Sequence, residues 1–250
     1  MRNLFDLTGK VALVTGGSRG LGYQMVLAFA ASGADVVIAS RKLEKCAEVS
    51  AEVEKTTGRQ ALPFACHVAD WDQIDNLVTA AYERFGKIDI LVNNAGMSPI
   101  YESLTTVPEE LYDKVFGVNL KGPFRLMATV GTRMAAGEGG SIINISSVGA
   151  IRPRADIIPY AAAKAGLNAM TVGFAQALGP KVRVNCIQCG PFLTDISKAW
   201  DMDAFRERVQ SFALRRGGEP EEIVGAALYF ASSASSFCTG AILRLDGGAP

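Results

Sequence analysis

The stretch that most constrains this chain lies near its start. An apolar run, Lys10 to Thr15, passes directly into Gly16-Gly17-Ser18-Arg19-Gly20-Leu21-Gly22, and a helical pattern from Tyr23 to Ala31 follows. Gly33 interrupts the helix, and Asp35 to Ala39 supplies a second, β-branched run. Strand, glycine turn, helix and second strand in quick succession form a βαβ unit, which joins parallel strands. Backbone amides of a glycine turn at a helix N-terminus bind phosphate. Gly16, Ser18, Arg19, Gly20, Leu21 and Gly22 are therefore candidates for the pyrophosphate cradle of a dinucleotide.

In such a unit an acidic residue near the end of the second strand would hold the free 2′-hydroxyl of NAD. This chain has Ala39, Ser40 and Arg41 there, with Arg19 in the glycine loop. Two guanidinium groups suit a 2′-phosphate, so NADP(H) is the expected cofactor, with NAD(H) possible and solvent-facing arginines as the plain alternative. The same turn also satisfies Gly-x-Ser-x-Gly, the nucleophile elbow of α/β-hydrolases, with Ser18 as nucleophile. Only one strand precedes Ser18, and the sole histidine, His67, comes too early for the late histidine of that triad.

Alternation continues along the chain. Helical patterns cover about residues 42–57 and 71–85, with strands near Ala61 to Cys66 and Ile88 to Val92. Asn93-Asn94-Ala95-Gly96 ends the latter, and Pro108 opens a long helix carrying Asn119 in its middle, where asparagine is a poor helix former and needs a partner. Further on come a strand at Ile142 to Ile145, a helix from Tyr160 to about Leu178, a strand at Val182 to Ile187, a helix at about Pro220 to Ala231 and a strand at Ala241 to Leu245. This is the pattern of one α/β domain, a doubly wound parallel sheet with helices on both faces. Between Asp195 and Arg216 a polar and aromatic stretch has less core character, as a mobile lid would.

The chemistry is expected between Ser141 and Lys164. Ser147 follows the Ile142–Ile145 strand, at the carboxyl end where open α/β sheets place their ligands. Tyr160 and Lys164 stand one helical turn apart on one face. A phenol becomes a useful acid–base group near neutrality when a neighbouring cation stabilises its phenolate, and Lys164 is such a cation. Ser147 would then donate a hydrogen bond to a substrate oxygen while Tyr160 exchanges a proton with it. Taken alone, Tyr-x-x-x-Lys is equally an aromatic at a helix start followed by a solvated lysine.

Composition narrows the partners. Lysine plus arginine and aspartate plus glutamate both number 25, so nothing marks a nucleic-acid or anionic-membrane footprint. The N-terminus lacks the apolar run of a signal peptide, no stretch reaches membrane-spanning length, and a cytoplasmic enzyme is expected. Five scattered cysteines do not build a disulfide framework. Cys186-Ile-Gln-Cys189 matches a redox or metal-binding pair, but it closes a strand rather than opening a helix, so no metal is expected.

Taken together, these residues resemble the short-chain dehydrogenase/reductase family over nearly the whole chain. Thr15-Gly16-x-x-x-Gly20-x-Gly22 is similar to its cofactor motif and Asn93-Asn94-Ala95-Gly96 to its strand-four motif. Asn119, Ser147, Tyr160 and Lys164 resemble its catalytic tetrad, while Asn185, Gly190, Thr194 and Asp246-Gly247-Gly248 match later landmarks. The resemblance implies a seven-stranded Rossmann sheet, a homotetramer and a small carbonyl or alcohol substrate. It further implies Tyr160 as acid–base, Lys164 on the ribose and lowering the tyrosine pKa, Ser147 on the carbonyl oxygen, and Asn119 supporting a relay water. It assigns Asn93, Ala95, Gly96, Gly190 and Thr194 to the cofactor. Two positions depart from the family: His67-Val68 replaces the usual Asp-Val beside the adenine, and Cys189-Gly190-Pro191 moves the proline of the nicotinamide loop. A non-catalytic dinucleotide sensor would keep the glycine loop but has no use for the tetrad. Arg152 and Arg154, between Ser147 and Tyr160, would favour an anionic substrate such as a 3-oxoacyl thioester or a sugar acid if they face inward, and are solvated rim residues otherwise.

Overall fold

Seven strands run parallel in one sheet, in the order β3-β2-β1-β4-β5-β6-β7. The computed structural model describes residues 3–195, 197 and 200–250. β1 spans Val11–Thr15, β2 Asp35–Ser40, β3 Ala61–Ala65, β4 Ile90–Asn93, β5 Gly140–Ser147, β6 Val182–Cys189 and β7 Ile242–Leu245. The eight α-helices among the described residues are α1 (Gly20–Ala31), α2 (Leu43–Thr57), α3 (Trp71–Phe85), α4 (Glu109–Phe116), α5 (Gly122–Ala136), α6 (Ile158–Leu178), α7 (Met202–Val209) and α8 (Val224–Ala231). The expected doubly wound sheet is therefore present, and its strand order reverses direction between β1 and β4.

Side-chain alternation builds two cores from single strands. In β1, Ala12 and Val14 join Met25, Val26 and Phe29 of α1 and Ala227 and Phe230 of α8 on one face. Val11 and Leu13 join Ile74 and Leu77 of α3, Leu126 and Val130 of α5 and Leu167 of α6 on the other. A period of two in the strands and a helical stripe on each face is what burial on both sides requires.

Three differences from the sequence expectation stand out. β5 and β6 are longer than their apolar runs, because the ladder extends from Gly140↔Val182 to Ser147↔Cys189. Polar ends are tolerated where each finds a partner: Ser141 Oγ donates to the Phe230 carbonyl at 2.7 Å and Ser146 Oγ to the Lys164 carbonyl at 3.3 Å. The long helix after Pro108 is broken by a π-helical turn at Gly117–Lys121, centred on Asn119. Asn119 Nδ2 donates to the Val115 carbonyl at 2.9 Å, capturing an acceptor that the helical ladder would otherwise use. The third difference is the stretch from Asp195 to Arg216, of which residues 196, 198 and 199 lie outside the described residues; the rest carries α7 and a small core of its own. Phe205, Val209 and Phe212 are buried against Leu193, Trp200 and Met202, at a helical spacing that the surrounding polar residues obscure in the sequence.

Close backbone approach fixes the glycine turn. A β-carbon added at Gly22 would lie 2.2 Å from the Gly16 carbonyl oxygen, and Gly16 itself sits at φ +65°. Gly22→Ala is expected to destabilise the fold by about 3 kcal/mol through forced displacement of the turn. Gly225→Ala, at the start of α8 with nothing within 4 Å of the added carbon, should be neutral or mildly stabilising. Urea titration of both variants against the parent checks the contrast.

Candidate active site

The carboxyl ends of β1, β4, β5 and β6 share one edge of the sheet, and the expected residues collect there. Thr15 Oγ1 donates to the Val92 carbonyl at 3.1 Å and accepts from the amides of Asn94 and Ala95 at 3.1 and 3.2 Å. Asn94 Nδ2 returns across the gap to the carbonyls of Thr15 and Gly16 at 2.9 and 3.2 Å. Asn94 thus clamps the glycine turn to the end of β4. From the sequence its side chain reads as a turn former; the clamp depends on a partner 79 residues away. Its neighbour Asn93 is buried, donating through Nδ2 to Asn144 Oδ1 at 2.9 Å, and the Oδ1 of Asn93 has no partner among the described residues.

The glycine turn fits an anionic ligand. Arg19, at the N-cap of α1, makes no side-chain capping bond, and the first turn carries no acidic residue, so the helix N-terminal amides are left for something else. Gly20, at φ +55°, lies beside Thr194, whose β-carbon would be 3.5 Å from an added side chain. Ser18 Oγ donates to Ser40 Oγ at 3.0 Å, joining the turn to the end of β2, next to the exposed Arg41. Arg19 Nη1 is 3.9 Å from Asp195, which ties the turn to the segment before α7. Leu21 is partly buried in the core under the turn.

His67 and Val68 follow β3. The His67 amide donates to Gln73 Oε1 at 2.8 Å, and its ring Nδ1 accepts from the Ala69 amide at 3.3 Å, so the histidine is held locally. Val68 is buried, and its carbonyl oxygen would be 2.0 Å from a β-carbon at Gly122, which lets α5 lie close against this loop.

Ser147, Tyr160 and Lys164 meet at the end of β5. Lys164 is 4% exposed, and its Nζ donates to the Ile145 carbonyl at 2.7 Å. The ammonium lies 5.8 Å from the Tyr160 ring centre. Ser147 shares a side-chain hydrogen bond with Tyr160 and accepts from the Gly149 amide at 3.1 Å. Gly149 leaves room for this arrangement: a β-carbon there would lie 3.4 Å from Ser147 Oγ and 3.8 Å from Tyr160 Cε1. Asn119 completes the group from the other side. Its Nδ2 donates to the Met97 carbonyl at 2.9 Å, and its Oδ1 accepts from the Met97 amide at 3.3 Å. Gly96 sits between the halves, its added carbon 3.1 Å from Asn119 Oδ1 and 3.7 Å from Lys164 Nζ.

Electrostatics modify one expectation. Burial pushes the Tyr160 phenol up to about 12, opposed by its Ser147 hydrogen bond, and burial pushes the Lys164 ammonium down to about 8. Desolvation of the phenol therefore opposes the lowering expected from Lys164, because burial penalises the charged form. Burial likewise pushes the Cys186 and Cys189 thiols up to about 12, which opposes the thiolate that redox exchange or metal ligation needs. Gly190 follows Cys189 and abuts Asp246, whose Cα an added β-carbon would approach to 2.6 Å. On the rim, Arg154 is paired with Asp156, while Arg152 Nη1 donates to the Ala249 carbonyl at 2.6 Å.

Comparison with known proteins agrees with this geometry. The profile of the short chain dehydrogenase family matches residues 10–204. A 3-oxoacyl-[acyl-carrier-protein] reductase of Thermotoga maritima is 37% identical over 243 residues, covering 97% of this chain and 98% of that protein. Among solved structures, 7α-hydroxysteroid dehydrogenase complexed with NADH and 7-oxo glycochenodeoxycholic acid superposes with a TM-score of 0.95 at 32% identity, covering 100% of this chain and 98% of that one. The NADPH-dependent 3-quinuclidinone reductase of Rhodotorula rubra does so with a TM-score of 0.92 at 30% identity, covering 98% and 92%. With the sheet order, the glycine turn and the Ser147, Tyr160 and Lys164 group already in hand, the chain belongs to the short-chain dehydrogenase/reductase family of oxidoreductases.

Proposed function

We propose that the protein interconverts a carbonyl compound and a secondary alcohol by hydride transfer with NADP(H), Tyr160 acting as the acid–base group. The observation that carries this reading is the meeting of Ser147, Tyr160 and Lys164 at the end of β5, on the same sheet edge as the uncapped N-terminus of α1. Gly16, Ser18, Gly20, Leu21 and Gly22 would hold the pyrophosphate, and Arg19 and Arg41, with Ser40, the 2′-phosphate. His67 and Val68 would flank the adenine. Asn93, Ala95, Gly96, Lys164, Gly190 and Thr194 would surround the nicotinamide and its ribose. When bound, the nicotinamide donates the hydride to a carbonyl carbon or takes it from an alcohol carbon.

The residues of the chain supply the rest. Because Ser147 Oγ accepts from the Gly149 amide, its own proton can be shared between Tyr160 and the substrate oxygen. Tyr160 keeps its proton through neutral pH and gives it to the oxygen as the carbonyl is reduced, so carbonyl plus NADPH plus one proton yields alcohol plus NADP⁺. In the oxidative direction Tyr160 must first lose that proton, and Lys164 then faces the phenolate. Asn119 holds Met97 and the loop that walls the site.

Tyr160→Phe is expected to lower turnover by about 10²- to 10⁴-fold while NADPH still binds. Alcohol oxidation by the parent should rise with pH more steeply than carbonyl reduction, because only oxidation requires the phenolate. Near-normal turnover of the variant under chemistry-limited conditions sinks the assignment.

Cofactor choice is tested by titrating NADPH and NADH. Each guanidinium bond to the phosphate is worth roughly ten- to a hundredfold in affinity, so NADPH should bind more tightly, and Arg41→Asp should weaken NADPH and spare NADH. Equal affinities, or a preference for NADH, reject NADP(H) as the physiological partner. A panel pairing charged carbonyl compounds with neutral analogues tests the anionic-substrate reading. The Arg154–Asp156 pair already neutralises one of its two cations, whereas Arg152, bound to a carbonyl, keeps its charge.

Assembly as a homotetramer is supported by two apolar surfaces. Tyr112, Phe124 and Val172 are exposed on α4, α5 and α6, and β7 is an edge strand with Ile242 and Leu243 exposed. Light scattering at micromolar concentration should report about four chains per particle. A monomer there contradicts the expectation.

A further inference from the structure

Helix α6 begins without a cap of its own. Its N-cap residue, Ile157, offers no side-chain hydrogen bond, and Pro159 in the first turn has no amide proton. The Ile158 amide is instead taken by a residue 57 positions earlier: it donates to the Tyr101 hydroxyl at 3.0 Å. The same hydroxyl donates to the Ala155 carbonyl at 2.6 Å. One phenol therefore fastens both sides of the turn that leads into α6, and Tyr160 is the third residue of that helix. Tyr101, Val107, Leu111, Pro159 and Tyr160 together line a narrow apolar cleft. Opposite, a β-carbon at Gly149 would be 3.3 Å from Ile157 Cδ1 and 3.4 Å from Ser147 Oγ, so the turn is packed against the serine side of the site. The turn therefore lies between Ser147 and the helix that carries Tyr160.

We propose that Tyr101 is a positioning residue for catalysis: its hydroxyl serves as a distant cap on α6 and thereby sets the place of the Tyr160 phenol relative to Ser147. The proposal rests on Tyr160 being the acid–base group. It assigns a role to a loop, Met97 to Ser103, whose sequence carries little readable chemistry.

The test is a double-mutant cycle of Tyr101→Phe and Tyr160→Phe, with kcat, the carbonyl KM, NADPH affinity and amide hydrogen exchange over 155–160 measured for each. Tyr101→Phe keeps the ring and removes both hydrogen bonds. It should lower kcat per cofactor-binding site by about tenfold or more, since small misplacements of reacting groups are costly. The carbonyl KM and NADPH affinity should stay within about twofold, and exchange at Ile158 should quicken. In the Tyr160→Phe background the same change should cost almost nothing further, because no proton donor remains to be misplaced. Parent-like kcat in Tyr101→Phe, equal losses in both backgrounds, or an effect confined to KM would each overturn the proposal. Full activity of Tyr160→Phe alone would instead reject the acid–base reading, and unchanged exchange at Ile158 in Tyr101→Phe would then reject the cap independently.

Discussion

The junction between β1 and β4 organises the molecule. Parallel strands cannot be joined by hairpins, so each connection crosses a face through a helix, and where the winding reverses the loops part and leave a crevice. A crevice alone would let its two sides move separately. Here Thr15 and Asn94 tie them, Thr15 Oγ1 bridging the Val92 carbonyl and two amides while Asn94 Nδ2 reaches the Thr15 and Gly16 carbonyls. Each such bond contributes only about 1 kcal/mol net to stability. Their value lies in register: the glycine turn at one side of the crevice is fixed against the strand that leads to Gly96, Asn119 and Lys164 on the other.

Around that junction the core accepts polar groups that a purely apolar interior would avoid. Lys164 is buried with a single backbone acceptor, and its ammonium is pushed down to about 8 as a result. Asn144 bonds to Asn93 and Thr171 at 2.9 Å each, between β4, β5 and α6. Asn119 distorts its helix into a π turn to reach Met97. Buried polar groups cost free energy unless satisfied, and their concentration at one sheet edge is the physical mark of a site shaped for chemistry rather than for stability.

The relatives of this chain include proteins named as a 3-oxoacyl-[acyl-carrier-protein] reductase, a 3-quinuclidinone reductase and a 7α-hydroxysteroid dehydrogenase, so one fold is used on different substrates. In this protein the described loops at that sheet edge carry contacts of their own. α7 has its own cluster of Phe205, Val209 and Phe212, the backbone of Ala213 and Leu214 is bonded to Gly248 and Gly247, and Arg152 reaches Ala249. Tyr101 joins the loop after β4 to the start of α6.

Local pattern in the sequence was sufficient for the parallel α/β architecture, the glycine turn and the grouping of Ser147, Tyr160 and Lys164. Strand alternation, helix periodicity and a one-turn spacing are properties of neighbouring residues, and they survive folding unchanged. The π turn at Asn119 was hidden by a side chain competing for a helical acceptor, and the small core of α7 by the polar residues around a helical spacing. The longer ends of β5 and β6 were not legible, because each depends on partners distant in the chain. The same holds for the Asn94 clamp and the Tyr101 bridge, which span 79 and 57 residues. Desolvation at the site is likewise a tertiary property. A lysine one turn from a tyrosine suggests a lowered phenol pKa, whereas desolvation pushes the Tyr160 phenol up and the Lys164 ammonium down, since the cost of desolvating a charge is set by everything packed around it.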